Sequence, residues 1–182
     1  MHHWLPRPDG GIGLQRVAPW LIMLAAACGA CEAGPAPATP PIVAGQAAAP
    51  REVNLIANDY SFVPATLDLV PGETVLLHVI NGGLEVHEAI IGDAAVQDAW
   101  EAAEGAVAGA PPGPTPVVTV PAALSGVRIV VRSGERVDLQ WVVPAGGVEG
   151  VPGTVAPFVV GCHIPGHWER GMQIPVRWVN AP

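Results

Sequence analysis

The segment Gly161–Met172, GCHIPGHWERGM, sets Cys162, His167 and Met172 at five-residue intervals in a chain with only 3 cysteines, 3 methionines and 6 histidines. Pro165-Gly166 forces a turn before His167, so the chain cannot continue the strand that delivers Cys162. A loop therefore bends three donor side chains toward one point. A fourth must come from elsewhere. His87 in NGGLEVHEAIIG, at a strand start just beyond a turn, is the best candidate. Cys28 and Cys31 lie in the leader, which leaves Cys162 unpaired in the folded part. Exported domains normally pair their cysteines, and metal ligation is a reason for a lone thiol to persist.

Two imidazoles, a thiolate and a thioether discriminate among metals. Structural zinc sites take four strong ligands and have little use for a thioether, while calcium and magnesium want oxygen. Two histidines and a cysteine with a weak axial methionine form the blue-copper electron-transfer arrangement. Soft sulfur suits Cu(I), imidazole suits both oxidation states, and one compromise geometry lets an electron come and go with little ligand movement. Gln173 competes with Met172 as axial donor, and an ordinary core methionine is the plainer account of Met172.

Short strands must position these residues. Gly 22 and Pro 21, few aromatics and 13% charged residues favour strands and turns over long helices. EVNLIA, YSFVP, TLDLV, TVLLHVI, VHEAIIG, GVRIVVR, ERVDLQWVV, VAPFVVGC and IPVRWVN read as strand candidates, with PGE and NGG as turns. RIVVR and VDLQWVV, joined by SGE, read as a hairpin. DAAVQDAWEAAE, Asp93 to Glu104, instead places Val96, Trp100 and Ala103 on one helical face. About eight short strands with one inserted helix predict an all-β, two-sheet Greek-key sandwich, because a lone sheet would leave one apolar face wet.

Arg7 and Arg16 precede the apolar run VAPWLIMLAAA, too short to span a bilayer but ordered like an export signal over residues 1–27. Cys28, after LAAA, resembles the lipidated cysteine of bacterial lipoproteins, although alanine rather than leucine stands three residues before it; plain cleavage nearby is the alternative. Residues 28–50 read as a tether ahead of a domain over 51–182, and its alanine- and proline-rich part, Glu32 to Pro50, would reach roughly 60 Å when extended. The formal net charge of −8, with no lysine at all, argues against nucleic acid as a partner.

CHIPGHWERGM resembles the copper loop of the cupredoxin family, closest to the Cys-x-x-Pro-Gly-His pattern of its rusticyanin, auracyanin and azurin groups, and the likeness reaches back through YSFVPATLDLVPGETVLLHVINGGLEVHEAIIG. The resemblance implies a cupredoxin sandwich with one type 1 copper, held equatorially by His87, Cys162 and His167 and axially by Met172, with the edge of His167 as the electron port. It implies an exported, monomeric carrier of single electrons, not an enzyme, serving a c-type cytochrome or terminal oxidase. Copper delivery, buffering or resistance is the rival function. Glu88 departs from the Asn or Ser that several cupredoxins carry after the first histidine; its carboxylate either accepts backbone N–H bonds or is protonated. His163 follows Cys162 and should point to the opposite face; it would be a ligand only in an enzyme with further copper. His78 reads as a structural strand residue, and Trp168 as either a lid or core. Glu85, Glu88, Asp93, Asp98, Glu101 and Glu104 form a run of acids beside His87, either a solvated helix face or a surface for a basic partner.

Overall fold

A computed structural model describes residues 40–109, 118–145 and 156–181. The compact unit Thr39–Pro182 holds all of them, and the expected export signal and Cys28 lie outside the described residues.

Nine strands, β1 (Arg51–Asn58), β2 (Ser61–Val63), β3 (Leu67–Leu69), β4 (Thr74–Asn81), β5 (His87–Gly92), β6 (Val127–Val131), β7 (Arg136–Val142), β8 (Val159–Gly161) and β9 (Gln173–Trp178), form two sheets among these residues. The first runs β2-β1-β4-β7 and the second β3-β9-β8-β5-β6. Pairings β1/β4 and β3/β9 are parallel and the others antiparallel. The result is the Greek-key β-sandwich with a single inserted helix that the pattern of apolar runs predicts.

Period-two alternation builds the core. Val53, Leu55 and Ala57 of β1 and Val75, Leu77 and Val79 of β4 face Ala89, Ile91, Ile129, Val131, Val160, Ile174 and Val176 of the second sheet. Each larger side chain contributes about 1.5–3 kcal/mol by leaving water. Glu73, buried at the start of β4, accepts hydrogen bonds from Arg51 and from the backbone N–H groups of Val70 and Gly45. Burial pushes its carboxyl upward, but these donors outweigh it and hold the group below its usual range.

All six residues of β5 are buried, since the first sheet covers one face and α1 (Ala94–Val107) the other. Alternation along β5 thus sends His87, Ala89 and Ile91 into the sandwich, while Ile90 packs under Val96 and Trp100 of the helix. Asp93 caps α1, its side chain accepting the Val96 N–H at 3.1 Å. The helix runs one turn beyond the expected Glu104.

The expected β6–β7 hairpin does not form. The SGE turn is present, with Glu135 N–H donating to Arg132 O at 2.8 Å and Gly134 at φ 73°. However, β6 pairs with β5 and β7 with β4, in different sheets. Asn81 at the end of β4 exchanges backbone bonds with Gly134 and Glu135, so the turn is drawn across the top of the sandwich and carries the chain from one sheet to the other.

Candidate metal centre

Strand pairing brings the donors together from distant parts of the sequence. His87 opens β5, Cys162 follows the last residue of β8, and these strands are antiparallel neighbours, with Ile90 opposite Gly161. The loop after Cys162 closes on itself: His167 N–H donates to Ile164 O at 2.9 Å, Met172 N–H to His167 O at 3.1 Å, and Cys162 N–H to Met172 O at 3.1 Å. Gly166 and Gly171 supply the left-handed turns, at φ 87° and 91°.

His87, Cys162 and His167 offer three donor atoms within 4.8 Å of one another, the one such cluster among the described residues. His167 Nδ1 lies 3.3 Å from Cys162 Sγ and 3.2 Å from His87 Nδ1. All three residues are buried. Each imidazole meets a carboxylate on its other side, His87 Nε2 at 3.1 Å from Asp59 and His167 Nε2 at 3.0 Å from Glu85. Nitrogens bonded to carboxylates carry the ring protons, so the lone pairs on both Nδ1 atoms turn into the cluster. Two converging lone pairs beside a thiol are a donor set for a cation. Burial holds the His167 imidazole below its usual pKa, against the opposing pull of Glu85.

Burial pushes the Cys162 thiol up to about 12, although the N–H groups of Glu88 and Ile164 oppose the shift. Without a cation the sulfur keeps its proton. Met172 is fully buried and its carbonyl accepts the Cys162 N–H, whereas Gln173 beside it is exposed.

Glu88 faces the helix, and its carboxylate accepts a backbone N–H bond. One carboxylate oxygen accepts the His163 backbone N–H at 3.1 Å and the other accepts Arg128 Nε at 2.8 Å. Its own backbone N–H points at Cys162 Sγ, 3.5 Å away. Glu88 thus ties β5 to the cysteine strand. Arg128 also binds Glu104 at 2.9 Å and lies 4.6 Å from the Trp100 ring centre.

His163 turns away from the cluster, as strand alternation requires. Its Nδ1 lies 2.7 Å from Glu101 and its Nε2 2.7 Å from Gln97, and Trp168 stacks on it at 4.6 Å and 15°. Trp168 also lies over Gly161, where a Cβ would collide with the indole ring. His78 pairs with Asp138 across β4 and β7, as a structural strand residue.

The run of six acids does not form one surface. Glu88 and Glu104 are buried around Arg128 and Asp93 caps the helix, while Glu85, Asp98 and Glu101 are exposed, two of them bound to His167 and His163. Asp59 and Glu85, which touch the ligand imidazoles, have no such place in the local loop pattern: the Asp59–His87 contact spans 28 residues and Glu85–His167 spans 82.

No protein-family model and no curated protein matches the sequence. Solved structures do. Sodium-dithionite-reduced auracyanin from Roseiflexus castenholzii superposes with a TM-score of 0.52 at 16% identity, covering 70% of this chain and 96% of that one. Auracyanin A, a "blue" copper protein from Chloroflexus aurantiacus, gives 0.52 at 20% identity, covering 71% and 99%. Auracyanin B gives 0.50 at 21%, covering 76% and 94%. At such identities the likeness establishes the fold, and the ligand argument rests on the residues of this chain. With both in place, the chain has a cupredoxin-like, blue-copper-type fold and carries a buried His87–Cys162–His167 triad suited to a single metal ion.

Proposed function

We propose that this chain is an exported, mononuclear type 1 copper protein that carries single electrons between redox partners. The observation that supports this most is the convergence of two imidazole lone pairs on one buried, unpaired thiol. His87, Cys162 and His167 would hold copper equatorially and Met172 would serve as the weak axial donor. Copper held so supplies one-electron redox chemistry. The chain's part is to keep the donor atoms fixed and dry: the closed loop fixes His167 and Met172, and Glu88 fixes the strand that carries Cys162. Such restraint suits repeated electron exchange better than release of the metal, which is the copper-delivery alternative.

The partner in this reading is a c-type cytochrome or terminal oxidase, met by a monomer anchored through a lipid at Cys28 and the tether after it. The test is the visible spectrum of the copper-loaded protein at one copper per chain. An intense thiolate-to-Cu(II) band is expected, lost in Cys162→Ser and retained in Met172→Leu with a raised reduction potential. A colourless Cu(II) complex of the native chain would overturn the proposal.

A further inference from the structure

The outer edges of both ligand imidazoles are closed by acids, and those acids are themselves held. Asp59, at the turn between β1 and β2, places one carboxylate oxygen 3.1 Å from His87 Nε2 while accepting the backbone N–H groups of Leu84 at 2.9 Å and Glu85 at 3.2 Å. Glu85, in the loop between β4 and β5, binds His167 Nε2 with one oxygen and accepts the Tyr60 hydroxyl at 2.6 Å with the other. Asn81 fixes that loop from below, donating to Glu85 O at 2.7 Å and Val131 O at 3.0 Å.

Tyr60 is part of the arrangement. It has the left-handed φ of 66°, unusual for a bulky residue. In this conformation its ring stands edge-on to His167 at 5.2 Å and 90°, with the Arg170 guanidinium over its face at 4.1 Å. Each carboxyl is thus held by donors of the surrounding turns and hydroxyl while it faces one ring.

We propose that Asp59 and Glu85 are positioning residues for the metal centre, which fix the ligand imidazoles with Nδ1 inward and favour the oxidised copper ion through their negative charge. The proposal rests on the copper reading above. A carboxylate bonded to the far nitrogen of a ligand imidazole locks its tautomer and raises its basicity, and loss of such a partner typically costs about 10–100-fold in metal affinity. Cu(II) carries more charge than Cu(I) and gains more from both effects. The His167 edge is consequently sealed by Glu85 and Tyr60, not left open to solvent.

The experiment compares the wild type with Asp59→Asn, Glu85→Gln and their combination, with Asp98→Asn on the exposed face of α1 as a charge-matched control. Cu(II) and Cu(I) affinities are measured by competition with chelators. We expect each site variant to lose about tenfold or more in Cu(II) affinity and less in Cu(I) affinity; a tenfold change in their ratio raises the reduction potential by about 59 mV. The control should not move. A copper-free readout accompanies these: imidazole NMR of the apo protein should show slowly exchanging Nε2 protons on His87 and His167, with that of His167 lost in Glu85→Ala. Unchanged affinity ratios in the double variant, or fast-exchanging Nε2 protons in the wild type, would overturn the proposal. A missing blue band in the wild type would instead sink the type 1 copper reading, while the apo imidazole signals would still decide the positioning role.

Discussion

A thiol as deeply buried as Cys162 keeps its proton until a cation replaces it, and this has a consequence for the empty protein. Its folded pKa is pushed from 9.0 up to about 12, so between those values the folded state binds the proton that the unfolded state has lost. Stability from this group is complete below about pH 9 and falls as pH rises further, by up to about 1.4 kcal/mol per pH unit. The apo protein should therefore lose urea resistance between about pH 9 and 10.5, while Cys162→Ala, compared under the same conditions, should lack that added slope. Equal slopes in the two proteins would mean that the thiol is not desolvated. The clustered donors were legible because they are local: Cys162 and His167 share one loop, and His87 follows an Asn-Gly turn. Asp59 and Glu85 were not, because only the folded β1–β2 and β4–β5 turns set them against the rings.

At the scale of elements, β5 divides the chemistry between its faces. His87 points into the sandwich and Glu88 toward α1, and the strand can bury both because each face has its own polar partners. The strands and helix were readable from apolar periodicity. The crossing of the SGE turn between sheets was not, since a turn signal says that the chain reverses and not which strand receives it. Nor was the Glu88–Arg128–Glu104 cluster: α1 reads as an acidic helix until Arg128, on the neighbouring strand, is placed beneath it. Arg128→Leu would leave two buried carboxylates without their cation, and such a loss costs about 3–5 kcal/mol, or roughly 10 °C in melting temperature for a domain of this size. Burial and then the nearby Glu88 already raise the Glu104 carboxyl above its usual range. A raised acid favours the folded state below its unfolded pKa and loses that advantage as pH rises. The Arg128→Leu defect should accordingly shrink as pH is lowered from about 8 toward 5, followed by thermal melts; a defect of constant size would show that Arg128 acts through packing on Trp100 and not through charge.

Across the whole molecule, the formal net charge of −8 is distributed less simply than the sequence suggests. Arg128 neutralises part of the acidic run from inside, and Arg170 stands beside Tyr60 near the proposed copper ligand His167. Exposed acids nevertheless remain near that end, namely Asp59, Glu85 and Glu169, with Asp98 on the helix. A basic redox partner approaching this surface would be steered by their summed field, and salt screens such a field over about 10 Å at 0.1 M. Electron exchange between the copper-loaded protein and a basic c-type cytochrome should then slow as ionic strength rises, measured by stopped-flow absorbance at fixed pH. Glu169→Gln, which removes an exposed charge without a contact to either ligand imidazole, should shallow that dependence while leaving the visible spectrum unchanged. If the rate is indifferent to salt, the acids serve solvation alone and the partner docks by another surface. If the rate rises with salt, like charges oppose each other at the interface and the partner is acidic there.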